Sequence, residues 1–211
     1  MTIIACLHAA RSNIEVYEAA LKAMDYEDVE LLHRVESDLL QLAIDANAIT
    51  PAIAEATHNS IDELCSAADA VIVTCTTLGV ACASGRTYAK PVLRVDATLA
   101  KQASRYHGHV LVLCSAPSTL APTKALFDAW LPAGKCSVEL VPGAWEIFNR
   151  GDLPGYYQAI ANYIQTRPDG ALACIVLAQV SMAGAAAWIN TTLSVLTAPQ
   201  ITLQAAIDAL S

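Results

Sequence analysis

A cysteine that closes an apolar strand and is followed by two hydroxyl residues is where this chain can do chemistry: Ala70-Val71-Ile72-Val73-Thr74-Cys75-Thr76-Thr77. A thiol becomes an acid/base or a nucleophile when its pKa is lowered, and a helix N-terminus lowers it. A helix opening near Val80 after a tight turn supplies that setting, and Thr76 and Thr77 can hydrogen-bond a thiolate or a carboxylate. The pattern recurs in the second half as Cys174-Ile175-Val176-Leu177-Ala178-Gln179-Val180-Ser181. There Ser181 matches Thr77, and Gln179 stands in the place of Cys75. A glutamine amide neither gives nor takes a proton in such a role. Two shorter echoes support a duplication of half-chain units: Ile4-Ala5-Cys6 with Val112-Leu113-Cys114, and Val29-Glu30-Leu31 with Val138-Glu139-Leu140.

The elements that must position these residues alternate along the chain. Short β-branched runs predict strands over 3–7, 29–35, 71–74, 91–95, 110–114, 137–141 and 173–178. Helical patterns separate them over 14–24, 38–47, 51–67, 80–88, 99–106, 120–131, 153–166 and 182–189, with a last helix over 201–210. Alternation of this kind predicts α/β layers on parallel sheets, here two Rossmann-like domains related by a pseudo-twofold axis with a cleft between them. The first domain is expected to hold 1–97 and 191–211, the second 98–190.

In parallel α/β sheets, ligands bind beyond the carboxyl ends of the strands. Those ends carry His8 and Asn13, then Cys75, Thr76 and Thr77, then Ser115 and Thr119, then Gln179 and Ser181. Each loop offers hydroxyl or amide groups before a helix, where free backbone N–H groups can hold a carboxylate. The plain alternative for each of these Ser, Thr and Asn residues is a helix N-cap. For Cys75 it is a buried strand-end thiol, and for His8 a polar side chain with one hydrogen bond. His8 titrates near neutrality and is the candidate to stand in for a missing second acid/base. Arg11 reads as an exposed loop arginine, and Cys82, two turns after Cys75, as a packing residue.

Composition excludes several classes. A net charge of −8, with 20 acidic and 12 basic residues and no Lys/Arg cluster, argues against nucleic acid as a partner. The uncharged run 171–189 is about as long as a membrane span, but a β-branched first part, Gln179 and Ser181 in the middle and an Ala-rich second part suit a buried strand, a turn and a helix better. Membrane partners are therefore not expected. Seven cysteines at irregular spacing, without a C-x-x-C pair, read as reduced thiols of a cytoplasmic protein. Cys6, Cys114 and Cys174 lie inside apolar strands as small hydrophobes. The chain carries neither a metal-binding signature nor a Gly-rich dinucleotide fingerprint.

The strand ending in Cys75-Thr76-Thr77-Leu78-Gly79, the duplicated halves and the opening strand with its polar loop resemble the aspartate/glutamate/hydantoin racemase superfamily. Pro91-Val92-Leu93-Arg94-Val95-Asp96 and Thr119-Leu120-Ala121-Pro122-Thr123 add to the likeness, which covers essentially the whole chain. The resemblance implies a cofactor-independent enzyme, with a small carboxylate as its partner and a homodimer as one possible assembly. It also implies a cysteine from each half at the substrate α-carbon, one removing a proton and the other returning it. Cys75 matches the first of these positions, and Gln179 occupies the second.

One cysteine leaves several reactions open: one-sided proton exchange, a cis–trans isomerisation or a decarboxylation. The reading is a racemase-like isomerase or lyase acting next to the carboxylate of a small carboxylic or amino acid. The alternative is a catalytically inactive small-carboxylate binding or sensor protein on the same fold. A thiol hydrolase would need a histidine bonded to Cys75, which only His8 is placed to supply. If Gln179 holds the lost second-base position, Gln179→Cys restores the pair.

Overall fold

The computed structural model describes residues 1–167 and 172–210, apart from the side chains of Ala83 and Ser84. Strand β1 (Thr2–His8) leads through α1 (Asn13–Met24) to β2 (Val29–Val35), then α2 (Ser37–Asp45) and α3 (Pro51–Ala67). Strand β3 (Ala70–Val73) is followed by the short α4 (Thr76–Gly79), a 3-10 turn at Val80–Ser84, β4 (Val92–Arg94) and α5 (Val95–Ala103). The second half runs β5 (His109–Cys114), α6 (Pro117–Trp130), β6 (Cys136–Leu140), α7 (Ala144–Asn149), α8 (Leu153–Gln165) and β7 (Leu172–Leu177). A 3-10 helix (Val180–Trp188), β8 (Ser194–Thr197) and α9 (Ala198–Asp208) complete it. The strands form two four-stranded parallel sheets, ordered β2-β1-β3-β4 and β6-β5-β7-β8.

Local chemistry accounts for the helix starts. Thr50 caps α3 by accepting from the Ile53 N–H, with Pro51 preset for the first turn. Asp152 caps α8 by accepting from the Gly155 N–H at 2.9 Å. The central strands are buried on both faces, which is why they read as unbroken apolar runs. Ala5, Leu7, Val71 and Val73 pack against Ile61, Leu64 and Cys65 of α3 on one face of the first sheet. Strand alternation sends Ile4, Cys6 and His8 to the other face, where His8 lies against the buried Tyr17 of α1. In the second sheet, Leu111, Leu113, Ile175 and Leu177 pack against Tyr156, Ile160 and Ile164 of α8.

Two compact units result: Met1–Thr98 together with the chain from Thr202 onward, and Leu99–Ile201. The segment 191–201, expected with the first domain, thus falls in the second, because Ser194–Thr197 pairs with β7 as the fourth strand of that sheet. This strand is absent from the sequence reading. Its signal is the recurrence of Val92-Leu93 as Val195-Leu196, which hold the same place in the two ladders.

The ladders also correct the internal alignment. Thr74 N–H bonds Leu7 O as Ala178 N–H bonds Leu113 O, each at 3.0 Å. Glu36 N–H bonds His8 O as Val141 N–H bonds Cys114 O, each at 2.8 Å. Cys75 therefore corresponds to Gln179, as expected. His8 corresponds to Cys114, however, and Cys6 to Val112. The echo of Ile4-Ala5-Cys6 in Val112-Leu113-Cys114 is out of register by one strand repeat, a slip that preserves which side chains face inward and so passes unnoticed in an apolar pattern. The echo of Val29-Glu30-Leu31 is out of register as well, since His33, not Val29, corresponds to Val138.

Other boundaries differ by a turn. Helix α5 begins at Val95, immediately after β4, rather than at 99. The uncharged run 171–189 is divided between β7 and the 3-10 helix, and no helix among the described residues is long and apolar enough to cross a membrane.

The returning helix α9 is tied to α1 by a buried bond between the Tyr17 and Thr202 hydroxyls at 2.9 Å. Tyr17→Phe keeps the packing and removes this bond, so urea unfolding should show a loss of about 1 kcal/mol.

Candidate active site

The first loop of the site is built by the end of β3. Thr74 is buried, and its backbone closes the ladder to β1. Cys75 then leaves the ladder in an extended conformation (φ −108°, ψ 119°) as the cap of α4, with its carbonyl accepting from the Gly79 N–H at 2.8 Å. Its side chain packs beside Ala9, Ala43, Ile53 and Leu78.

Burial pushes the Cys75 thiol above its ordinary value. The N–H groups of Leu78 and Thr77 and the Thr77 hydroxyl pull the other way, while the Asp96 carboxylate adds to the rise. The helix-terminus depression expected for this thiol is present in its donors but is outweighed. Its physical reason is the length of α4, which at four residues offers little dipole against the desolvation of the sulfur.

The turn after Cys75 is braced from β4. Arg94 makes a paired contact with Asp96, Nε to Oδ1 at 3.1 Å and a terminal nitrogen to Oδ2 at 2.7 Å. A Cβ on Gly79 would lie 3.3 Å from the Arg94 Nε, so a glycine lets the loop approach the guanidinium. Arg94 and Asp96 were read in the sequence only as part of a family motif. Their place at the end of the neighbouring strand is the signal that could have marked them.

His8 lies elsewhere than expected. It is fully buried, and both ring nitrogens are engaged: Nδ1 with Thr74 Oγ1 at 2.8 Å, and Nε2 with His33 Nδ1 at 2.8 Å. His33 in turn reaches Glu18 at 3.0 Å. Neither His8 nitrogen is left for Cys75, so the hydrolase arrangement is not formed. Burial, followed by the influence of His33, pulls the His8 pKa down to about 3, so the ring is neutral at physiological pH.

Cys6 Sγ and these two imidazoles lie within 4.8 Å of one another and are the group of this region that could hold a metal. Two imidazole nitrogens sharing a tetrahedral zinc stand about 3.3 Å apart, given Zn–N bonds of about 2.0 Å. The observed 2.8 Å is the length of a direct hydrogen bond. Asn13 opens α1, half-buried, its N–H bonded to Ala10 O at 3.1 Å.

In the second unit the predicted residues form one network. Gln179 takes the same extended cap conformation as Cys75 (φ −114°, ψ 143°). Its Oε1 accepts from the Ser115 N–H at 2.6 Å, the Ser115 hydroxyl at 2.9 Å and the Ala116 N–H at 3.0 Å. Tyr156 OH meets Ser115 Oγ at 2.7 Å and Ser181 Oγ at 3.1 Å. Thr119 turns its hydroxyl onto Ala116 O at 2.8 Å. Ser115, Gln179 and Ser181 are thus brought together, with Thr119 one turn away. Tyr156 was missed. It sits on the apolar stripe of α8 with Ile160 and Ile164, where a fully buried hydroxyl must find a partner.

The first sheet therefore groups Cys75, Thr76 and Thr77 in one loop, and the second groups Ser115, Gln179 and Ser181. The fold that carries them is that of the aspartate, glutamate and allantoin racemases. The chain is similar over its whole length to aspartate racemase from Picrophilus torridus (TM-score 0.75, 14% identity, 100% of this chain and 94% of that one). Glutamate racemase from Thermus thermophilus, solved with β-chloro-D-alanine, matches with a TM-score of 0.66 and 16% identity over 99% of this chain and 80% of its own. Allantoin racemase from Pseudomonas fluorescens matches with a TM-score of 0.68 and 17% identity over 99% and 90%. No family model matches the sequence, and no curated protein matches it either.

The His8 environment has a pH signature. Between its ordinary value of 6.5 and about 3, the unfolded chain binds a proton at His8 that the folded chain refuses. Stability contributed by this group is complete above that window and is lost as pH falls through it, by up to about 1.4 kcal/mol per pH unit. Urea denaturation across the window should show a shallower acid slope for His8→Gln than for the parent protein.

Proposed function

We propose that the protein is a cofactor-independent, racemase-like isomerase or lyase acting next to the carboxylate of a small carboxylic or amino acid, with Cys75 as its single acid/base or nucleophile. The observation that carries this reading is the Cys75 loop. A thiol at a strand's carboxyl end, on a fold shared with racemases, has the N–H groups of Thr77 and Leu78 and the Thr77 hydroxyl favouring its charged form. Those donors are the means by which a fold stabilises the negative charge that forms when a C–H or C–C bond beside a carboxylate is broken.

In proton abstraction, the sulfur takes the α-proton and the C–H electron pair moves into an enediolate. In decarboxylation, the C–C pair remains on the substrate as carbon dioxide leaves, and the S–H protonates the new carbanion. The second case suits a thiol held in its protonated form, the direction in which burial moves Cys75. Gln179, which holds the corresponding position in the second half, is not an acid or base of this kind. Thr76 and Thr77 are the hydroxyls for the substrate carboxylate, Asn13 a further amide. His8, neutral and doubly engaged, acts at most by holding Thr74, the residue before the thiol. Free cysteines at all seven positions suit a reducing compartment such as the cytoplasm.

A second reading draws on the same thiol. Burial leaves little thiolate near neutrality, which favours a carboxylate-binding protein without turnover. A panel of small mono- and dicarboxylates in deuterated water, followed by proton NMR, separates the two. An enzyme of the proposed kind incorporates deuterium on one face or releases carbon dioxide, without full inversion. In Cys75→Ser that rate should fall by about 100- to 10,000-fold with little change in thermal stability. Binding without exchange or release in the parent protein selects the second reading. Full activity in Cys75→Ser makes Cys75 a structural thiol and ends the mechanism.

A further inference from the structure

The hydrogen bonds around Gln179 have only one self-consistent direction. Its Oε1 can only accept, so the Ser115 hydroxyl donates to it along with two backbone N–H groups. With its own proton committed, Ser115 Oγ accepts from Tyr156 OH. The tyrosine proton being used there, Ser181 donates to the phenol oxygen. Thr119 points its proton at Ala116 O. Of the second-half residues expected to hold a carboxylate, Ser115, Thr119 and Ser181 have therefore turned their protons inward. Gln179 has not. Its carbonyl is fixed by three donors, all of them on the buried residues Ser115 and Ala116, and the Nε2 hydrogens of this half-buried side chain meet no partner among the described residues.

The geometry points to the Gln179 carboxamide as a fixed hydrogen-bond donor at the carboxyl end of β7: we propose that its NH2 group receives a carboxylate oxygen of a small-molecule ligand. This rests on the reading of the protein as one that takes small carboxylates, and it adds what the second half contributes. Three bonds to the carbonyl oxygen polarise the amide, which strengthens its N–H groups as donors. They also lock its rotamer, so the donor is already oriented when the ligand arrives. A group of this kind recognises an oxygen with lone pairs and disfavours an ammonium hydrogen in the same spot.

The test uses the full chain labelled with 15N, with formate, acetate, malonate and succinate as probes. The Gln179 side-chain NH2 pair is identified by its disappearance in Gln179→Glu. Titration of the parent protein should shift that pair downfield, saturating together with the backbone amides of Ser115 and Ala116 that hold its carbonyl. Gln179→Glu keeps an oxygen for Ser115 and Ala116 but turns a second carboxylate oxygen outward. Its melting temperature should stay near that of the parent, while its affinity for the best probe falls at least ~10-fold at neutral pH. Saturable binding that leaves the Gln179 NH2 pair unmoved, or undiminished affinity in Gln179→Glu, overturns the inference and leaves Cys75 chemistry standing. No shift anywhere with any probe defeats the carboxylate reading and this inference together. Loss of one-sided exchange in Cys75→Ser with the Gln179 shift intact separates the two roles.

Discussion

In each unit the central strand pair ends on the same backbone bond, Thr74 N–H to Leu7 O in one and Ala178 N–H to Leu113 O in the other. The next residue is the first that the ladder no longer constrains. Cys75 and Gln179 both take it up in an extended conformation and then enter a short helical turn. A parallel strand buried on both faces cannot present a reactive side chain along its length, so the step off the ladder is the earliest point where one can meet a ligand. The two sheets take that step at the same place.

What surrounds each of the two positions differs in kind. Around Cys75, desolvation and the Asp96 carboxylate oppose charge on the sulfur, and three donors favour it. Desolvation wins, which leaves a thiol whose ionisation depends on what else enters the loop. Around Gln179 no titratable group is involved in the direct contacts: backbone and hydroxyl donors converge on one amide oxygen. The His8–His33–Glu18 chain belongs to neither arrangement. It runs from the buried end of β1 toward an exposed carboxylate and anchors Thr74 from the face opposite the α3 cluster. A neutral histidine in that place contributes geometry rather than proton transfer.

Much of the architecture was legible because its signals are local. Apolar runs such as Ala70–Val73 and Val110–Cys114 announce buried parallel strands, and Thr50-Pro51 announces a helix start. Register was not legible. A slip of two residues along β1 leaves the apolar pattern unchanged, so the pattern alone matches Cys6 with Cys114, whereas the ladders give His8 the position that corresponds to that cysteine. Strand β8 was hidden by its length of four residues, half of them hydroxyl-bearing. Among site residues, Cys75 and Gln179 could be found because they interrupt a repeated pattern. Tyr156 could not, since it acts through a contact with a residue far away in sequence, and nothing in the neighbouring residues marks it.

The donors around Gln179 also bear on whether a second thiol would restore paired chemistry. A cysteine sulfur sits about where the glutamine Cγ does, two bonds short of the oxygen that Ser115 and Ala116 now contact. In Gln179→Cys the Ser115 and Ala116 N–H groups, both on residues that are almost fully buried, lose their acceptor. Each buried donor left without a partner costs about 1–3 kcal/mol. The Ser115 hydroxyl can rotate, but rotation unsettles its bonds with Tyr156 and, through it, Ser181. A cysteine at 179 therefore does not simply return this half to a two-thiol arrangement, because the loop after β5 is built around a carbonyl oxygen. The Gln179 amide is held, directly or through a shared hydroxyl, by Ser115, Ala116, Tyr156 and Ser181, and replacing it means rebuilding them.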